Sequence, residues 1–270
     1  MMDLKILELT SHSRQKWESP IAAMEEGITY PLGEDRFSID HGSNYFAFFD
    51  RMGDCATYVA LSQQRVAAVG AVVQRSLRPH QQADAMTAWY LCDLKVHREF
   101  RRRRIPLRMF VHGFPRKYAQ CPRGYAITMN PSDGSENPVT RLAGHVKLVP
   151  VSTGPTLVFY SLTQSEMESM RPTIEFHRGP TTFLSMTGTK NIVLQSTGKP
   201  MPLLHLQFGP CAQLGFTAPQ PDHVHMFCCP ADDPLAEAML SHGFTATATA
   251  TVLHHRMSEW DWSFVLTNEI

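Results

Sequence analysis

Between Tyr90 and Phe110 the chain reads Tyr-Leu-Cys-Asp-Leu-Lys-Val-His-Arg-Glu-Phe-Arg-Arg-Arg-Arg-Ile-Pro-Leu-Arg-Met-Phe. A branched and aromatic run suited to a strand passes into four consecutive arginines, then into a segment that opens like a helix with Pro106 in its first turn. Such a junction can bind an anion. Unpaired backbone N–H groups and the positive end of the helix dipole face the same way, and guanidinium groups add forked, charge-assisted hydrogen bonds. From Lys95 to Arg123 there are ten basic residues against one acid, Glu99, so this stretch carries +9. The whole chain balances at 25 basic and 25 acidic residues, and the remainder therefore carries −9. The positive charge is local, and no whole-molecule field draws polyanions.

Other residue types were weighed for chemistry. Asp93 is the carboxylate nearest the junction; it alternates in pleat with Leu94 and can face a cleft, or pair with a neighbouring arginine. Thirteen histidines raise the question of a metal. His223, His225, Phe227 and Cys229 share one face of a strand, but a site needs three or four convergent ligands, so no metal is expected. The six cysteines, at 55, 92, 121, 211, 228 and 229, form no C-x-x-C pair and support neither a disulfide framework nor a zinc finger. Cys92 and Cys121 lack a recognisable His/Asn context and read as structural. The longest apolar run, 66–73, is of strand length, and the first residues lack the basic and apolar segments of a signal peptide. A reduced, soluble, cytoplasmic protein without a membrane partner is expected.

The elements that must position these residues follow from hydrophobic period and turn signals. Strands are expected at 4–9, 56–62, 66–74, 85–96, 125–129 and 155–162, the second and third joined as a hairpin. Helices are expected at 14–27, interrupted at Ser19-Pro20; at 102–120, disturbed near its end by Gly113 and Pro115; and at 137–148. The aromatic run 44–52 suits a strand or a buried connection. Residues 163–180 are polar, contain Pro172 and Pro180, and read as a connector. Further strands are expected at 182–186, 192–195, 203–208, 224–228, 245–254 and 262–267. A helix at 234–241 would be opened by Asp232 and Asp233 and stopped by Gly243. With 270 residues, 43% of them hydrophobic and 19% charged, the chain can bury a core in one large domain or two modest ones. The fold class is α/β (α+β), a mixed sheet flanked by helices.

The segment 90–110 resembles the signature of the GNAT acyltransferase superfamily, in which a strand ending in Leu-x-Val leads through Arg/Gln-x-x-Gly-x-Gly/Ala into a helix. Leu94 and Val96 match the strand end, and Arg101 the first position of the turn. The hairpin at 56–74 and the strand at 125–130 also stand where that family places them. The resemblance implies a splayed strand whose backbone at Leu94, Lys95 and Val96 meets the pantetheine arm of coenzyme A. It implies a phosphate site at Arg101, Arg102, Arg103, Arg104, Ile105, Pro106 and Leu107, with Asn130 at the border of the same cleft. The two small positions of the motif fall on Arg104 and Pro106. Glycine there would let backbone approach phosphate, and Pro106 has no N–H to give, so the arginines are expected to substitute charge for dipole contacts. The segment Asp233-Pro-Leu-Ala-Glu-Ala-Met-Leu-Ser-His-Gly-Phe244 is similar to the helix and Gly-Phe that precede the last two strands of GNAT domains. The expected division is a GNAT-like acyltransferase domain at 1–165 and a second, reduced GNAT-like unit at 166–270.

For activity, the resemblance implies transfer of an acetyl or acyl group from acetyl-CoA or another acyl-CoA to a small-molecule or peptide amine, with Asp93 as catalytic carboxylate. The family often places a Tyr as acid in the helix before Gly-Phe. None occurs in 137–148, and Met239 stands at the equivalent place in the second unit, leaving Tyr125 and Tyr160 as substitutes. Two other readings stay open. The altered turn suits a large anionic donor, an acyl carrier protein or an aminoacyl-tRNA, whose binding would fall steeply with salt. A non-catalytic GNAT-like binding module would account together for Arg104, Pro106 and the missing Tyr.

Overall fold

The computed structural model describes residues 4–78, 84–146 and 149–270. The first part of the chain forms β1 (Lys5–Leu9), α1 (Ser11–Glu25), β2 (Tyr30–Leu32), β3 (Asp35–Asp40), α2 (Ala47–Asp50), β4 (Asp54–Ser62), β5 (Arg65–Leu77) and β6 (Met86–Val96). After the arginine turn come α3 (Ile105–Gln120), β7 (Gly124–Met129), α4 (Pro138–Ala143) and β8 (Ser152–Leu162). The remainder forms α5 (Gln164–Arg178), β9 (Thr181–Ser185), β10 (Asn191–Leu194), β11 (Leu203–Phe208), β12 (Val224–Pro230), α6 (Pro234–Ser241) and β13 (Ala248–His255).

Ten of these strands make one mixed sheet in the order β1-β4-β5-β6-β7-β13-β8-β12-β11-β9, and β10-β3-β2 make a small separate one. Two adjacent pairs in the large sheet are parallel, β6 with β7 and β11 with β12. Between them the chain interleaves. β13, from near the C-terminus, pairs with β7 on one edge and β8 on the other, while β8 pairs onward with β12. The largest core follows this interleaving: Trp17, Ile21 and Met24 of α1 belong to the same buried cluster as Leu157 and Phe159 of β8, Met226 of β12 and Val252 of β13. Ile105 and Met109 of α3 pack with Ala60, Ala67 and Phe100 in a second cluster. Met167, Met170 and Ile174 of α5 pack with Leu235 and Met239 of α6 in a third.

The hairpin, the long strand, the basic turn into a helix and the next strand stand where the sequence predicts them. Several expectations need correction. Residues 163–180 hold a fifteen-residue helix and not a connector. Its N-terminus is fixed by a capping box, in which Thr163 N–H donates to Glu166 Oε2 (2.8 Å) and Glu166 N–H to Thr163 Oγ1 (3.4 Å). Met167, Met170 and Ile174, at helical spacing, are buried, and their packing outweighs Pro172. Pro115 likewise sits inside α3 without ending it, and Gly113 lets that helix approach Tyr58, whose ring lies 3.1 Å from where a Cβ would be. The 262–267 strand is absent; the segment forms two 3-10 turns, Trp262–Phe264 and Thr267–Glu269. The 44–52 run is a buried connection carrying α2, with Tyr45, Phe46, Phe48 and Phe49 all buried. β2 and β3 were not anticipated, and α4 is shorter than the 137–148 expected, residues 147 and 148 lying outside the described residues.

Because β13 supplies a hydrogen-bonding partner to both β7 and β8, a chain truncated after residue 162 loses the central strand of the sheet and leaves two long edges. Expressed alone, residues 1–162 are expected to aggregate, and co-expression with 163–270 to restore soluble material. Size-exclusion chromatography of the two preparations checks this.

Candidate functional site

The parallel pairing of β6 with β7 lasts for only two residue pairs, Trp89↔Gly124 and Tyr90↔Tyr125. Beyond them the strands part and open a cleft of about 460 Å³. Its walls include Leu91–Lys95 of β6, Ala126–Met129 of β7, and Pro106, Leu107, Phe110 and Phe114 of α3. On the β6 side a bulge sharpens the opening. Gly70 pairs with Leu94 and the next residue, Ala71, with Cys92, so Asp93 is an extra residue held at φ 38°, in the left-handed region. An L-residue there costs about 1 kcal/mol. The bulge re-aims its carboxylate.

That carboxylate belongs to a buried ion cluster. Lys95 Nζ lies 2.6 Å from Asp93 Oδ1 and also contacts Glu25 Oε1 at the end of α1; the side chains of Lys95, Asp93 and Glu25 are 4%, 9% and 13% exposed. Tyr45 Oη donates to Asp93 Oδ2. His41 Nε2 stands 3.7 Å from Glu25 Oε1, with its ring edge-on to Tyr45 at 5.0 Å. Burial by itself would raise the pKa of Asp93, but the Lys95 ammonium, His41 and the two hydrogen bonds outweigh it and hold the carboxyl below its usual range. Burial prevails at Glu25, which is raised, and at His41, pushed down to about 4 with the Lys95 charge adding to the effect. At neutral pH the cluster therefore holds an ionised Asp93 and a neutral imidazole. Glu25, His41 and Asp93 could each turn one ligand atom toward a common point. The Lys95 ammonium, however, already lies against both carboxylates, where a metal ion would have to sit. The 223–229 set does not converge: His225 Nε2 accepts from Gln220 N–H (3.0 Å), and Phe227 and Cys229 are buried in the third core cluster.

At the arginine turn, Arg102 and Arg104 take φ values of 64° and 55°. These are glycine-type conformations carried by arginines. Arg104 caps α3, whose first intrahelical bond runs from Arg108 N–H to Arg104 carbonyl (3.1 Å), so the Ile105 and Leu107 N–H groups precede the helical ladder while Pro106 has none. The side chains of Arg101, Arg102, Arg103 and Arg104 are exposed and Ile105 is fully buried, with Arg103 stacked 5.5 Å from Phe100. Leu94 is 44% exposed, Lys95 turns its side chain into the ion cluster, and Val96 packs against the α3 core. Asn130 ends β7 with both side-chain atoms engaged: Oδ1 accepts from Thr251 Oγ1 (2.8 Å) and Asn137 Nδ2 (3.2 Å), and Nδ2 donates to Thr249 Oγ1 (3.1 Å). Tyr125 is stacked on Tyr90 at 4.7 Å and Tyr160 on Phe227 at 5.2 Å. Sequence reasoning missed Glu25, His41 and Tyr45. The aromatic run around Tyr45 was the one local signal for them.

The second parallel pair, β11 with β12, also parts, after three residue pairs. Here the gap holds the C-terminal segment. Thr267 Oγ1 donates to Met226 carbonyl (3.1 Å) and meets His205 Nδ1 (2.9 Å), and Cys228 Sγ points to Val265 carbonyl (3.5 Å). Arg75 of β5 anchors the segment through Glu269, with contacts of 2.6 and 2.7 Å.

No protein-family model and no curated protein matches the sequence. Among solved structures, a tandem GNAT protein from the clavulanic acid biosynthesis pathway superposes with a TM-score of 0.51 at 13% identity, over 95% of this chain and 99% of that one. Arabidopsis thaliana NAA60 in complex with acetyl-CoA is matched at a TM-score of 0.40 and 12% identity, over 58% of this chain and 88% of that one. The whole-chain superposition, with its two parallel pairs and parted strands, shows the fold: this is a GNAT fold. It is the tandem form of that fold, carried by a single chain whose halves share one sheet.

The neutral His41 gives a stability prediction. Its folded pKa lies below the unfolded value, so the unfolded chain binds the extra proton, and stability present above about pH 6.5 is lost as pH falls toward 4. For this one group the loss between pH 7 and 5 is about 2 kcal/mol. Urea unfolding at the two pH values should show a correspondingly smaller loss for His41→Gln than for the unsubstituted protein.

Proposed function

We propose that the protein is an N-acyltransferase that moves an acetyl or other acyl group from an acyl-CoA to an amine. The observation that carries this reading is the parting of β6 from β7 beside a helix N-terminus with free N–H groups, within a tandem GNAT fold. The β6 edge at Leu94, Lys95 and Val96, which β7 leaves unpaired, is the proposed rest for the pantetheine arm. The turn from Arg101 to Leu107 is the proposed seat of the phosphates, where successive N–H groups around a left-handed residue form an anion-binding concavity. Asn130 is proposed to border the cleft by holding the end of β7. Once one proton of the acceptor's ammonium has gone to the carboxylates, the amine nitrogen forms its bond to the thioester carbonyl carbon, the carbon–sulfur bond breaks, and the nitrogen's second proton leaves with the sulfur as the coenzyme A thiol. Asp93 is the proposed catalytic carboxylate: held ionised, it fixes the acceptor's ammonium and passes the proton it takes on to Glu25. Glu25, whose burial raises its proton affinity, is suited to store that proton. The two-unit division, 1–165 and 166–270, belongs to the same proposal, with the open cleft in the first unit and the filled gap in the second.

Neither candidate tyrosine is placed here as the acid, since both rings are stacked within cores. Among the described residues no helix is long and apolar enough to cross a membrane, and all six cysteines are free thiols, which accords with a proposed cytoplasmic location.

Isothermal titration with acetyl-CoA tests the donor site; no heat at millimolar ligand would overturn it. Arg101→Ala and Arg104→Ala should each weaken acetyl-CoA binding by about 1.5–3 kcal/mol per lost charged hydrogen bond. Asp93→Asn should leave acetyl-CoA binding intact and lower kcat, measured by thiol release. The exposed arginines at 98, 101–104, 108 and 116 favour a second reading of the donor, an acyl carrier protein or aminoacyl-tRNA. Comparing kcat/KM for one acyl group on CoA and on a carrier, at low and moderate salt, decides it: a carrier donor should be the better substrate and lose its advantage as salt rises.

A further inference from the structure

Of the cleft-wall lysines that the site above does not use, Lys117 is paired with Glu8 at 3.2 Å, which leaves Lys190, in the segment between β9 and β10. Its side chain is buried, with the residue 7% exposed, and it lines the same cleft as Asp93 and His41. Its ammonium lies over the Phe48 ring, 4.7 Å from the centroid, and Phe48 in turn packs against His41. Among the described residues no carboxylate lies within ion-pair distance of it. The nearest charged side chains it feels are first of its own sign, Lys95 and Arg51, opposed by Asp93 and, more weakly, by Cys92. Behind it stand His205 and Thr267, hydrogen-bonded to each other and neutral. A buried amine without a counter-ion is a costly arrangement, and burial together with its cationic neighbours pushes its pKa down to about 7. An anion arriving beside it would restore the full charge and remove that cost.

At the Asp93 end the balance is reversed. Two carboxylates face one ammonium, Lys95, and Asp93 is held ionised, so this end suits a cation. One apolar-walled cleft thus presents an anionic group at Asp93 and an unpartnered cation at Lys190. We propose that the acceptor is an amino carboxylate, with its amine held at Asp93 and its carboxylate paired with Lys190. This rests on the N-acyltransferase reading of the cleft and names the class of its acceptor. A single ammonium backed by neutral groups fits a monoanionic carboxylate better than a phosphate, which would call for several donors.

The test pairs α- and ω-amino acids with their carboxamides as acceptors, with acetyl-CoA as donor and thiol release as readout. The carboxylates should be preferred over the amides in kcat/KM by about 10-fold or more, the worth of one charged hydrogen bond. Lys190→Met, which removes the charge while filling the space, should bring the ratio close to one, and Lys190→Arg should keep most of the preference. Equal use of acids and amides, a preference that survives Lys190→Met, or binding of acetyl-CoA with no turnover of any amino acid overturns this proposal alone. Failure of acetyl-CoA to bind in the parallel titration overturns the acyltransferase reading with it.

Discussion

β7 can leave β6 after two residue pairs because its opposite edge is paired along its whole length with β13. A strand that loses one partner must satisfy its backbone on the other side or meet water. β13 provides that support, and it comes from the far end of the chain. The open edge of β6 then presents free N–H and carbonyl groups beside a 460 Å³ space, the arrangement that an extended ligand can complete as an added strand. The same strand holds β8 in place, which in turn holds β12 and the second half of the sheet. Cleft and tandem architecture are thus consequences of one interleaved position.

The two halves use the same device to different ends. Both contain a parallel pair that parts, but the second gap is occupied by the chain itself, with Thr267 tied to Met226 and His205, and Glu269 tied across to Arg75. The second half thereby closes the floor under the first. His205, Met226 and Thr267 border the open cleft from that side, and so does Lys190. The later part of the chain thus contributes walls and one charge to a cleft that opens where β7 leaves β6.

The parts of this arrangement that were legible in the sequence are local ones. Strand, arginine turn and helix at 90–110 follow each other within one run, so hydrophobic period, a helix-start proline and a charge cluster were enough to find them. Of the two glycine-type positions in the turn, Arg104 falls on a small position of the resemblance and Arg102 on none, and arginine itself gives no signal for positive φ. The ion cluster was illegible because its members are distant in sequence: Glu25 ends α1, His41 and Tyr45 stand in the connection after β3, and only Asp93 and Lys95 are neighbours. Even there, alternation suggested a carboxylate facing a cleft without revealing the bulge that aims it. The helix at 164–178 was hidden for a different reason. Pro172, Pro180 just beyond its end and a polar face mask a capping box and three apolar residues that tertiary packing makes decisive.

The ion cluster is not explained by stability. Carrying two carboxylates and an ammonium in beside Phe48, Phe49 and Cys92, with Tyr45 hydrogen-bonded to Asp93, removes their hydration, and the mutual attraction of a buried set seldom exceeds that loss. The bulge at Asp93 adds backbone strain to the same place. Apolar side chains of similar volume would serve the core as well or better, and breaking the set by removing Lys95 alone would leave two like charges buried together. A cluster that is expensive and strained, with two carboxylates on one ammonium, is one that a cation from outside would complete. In the proposed reaction the acceptor's ammonium is that cation. The energetic defect and the strand edge that β7 leaves unpaired fall in the same cleft.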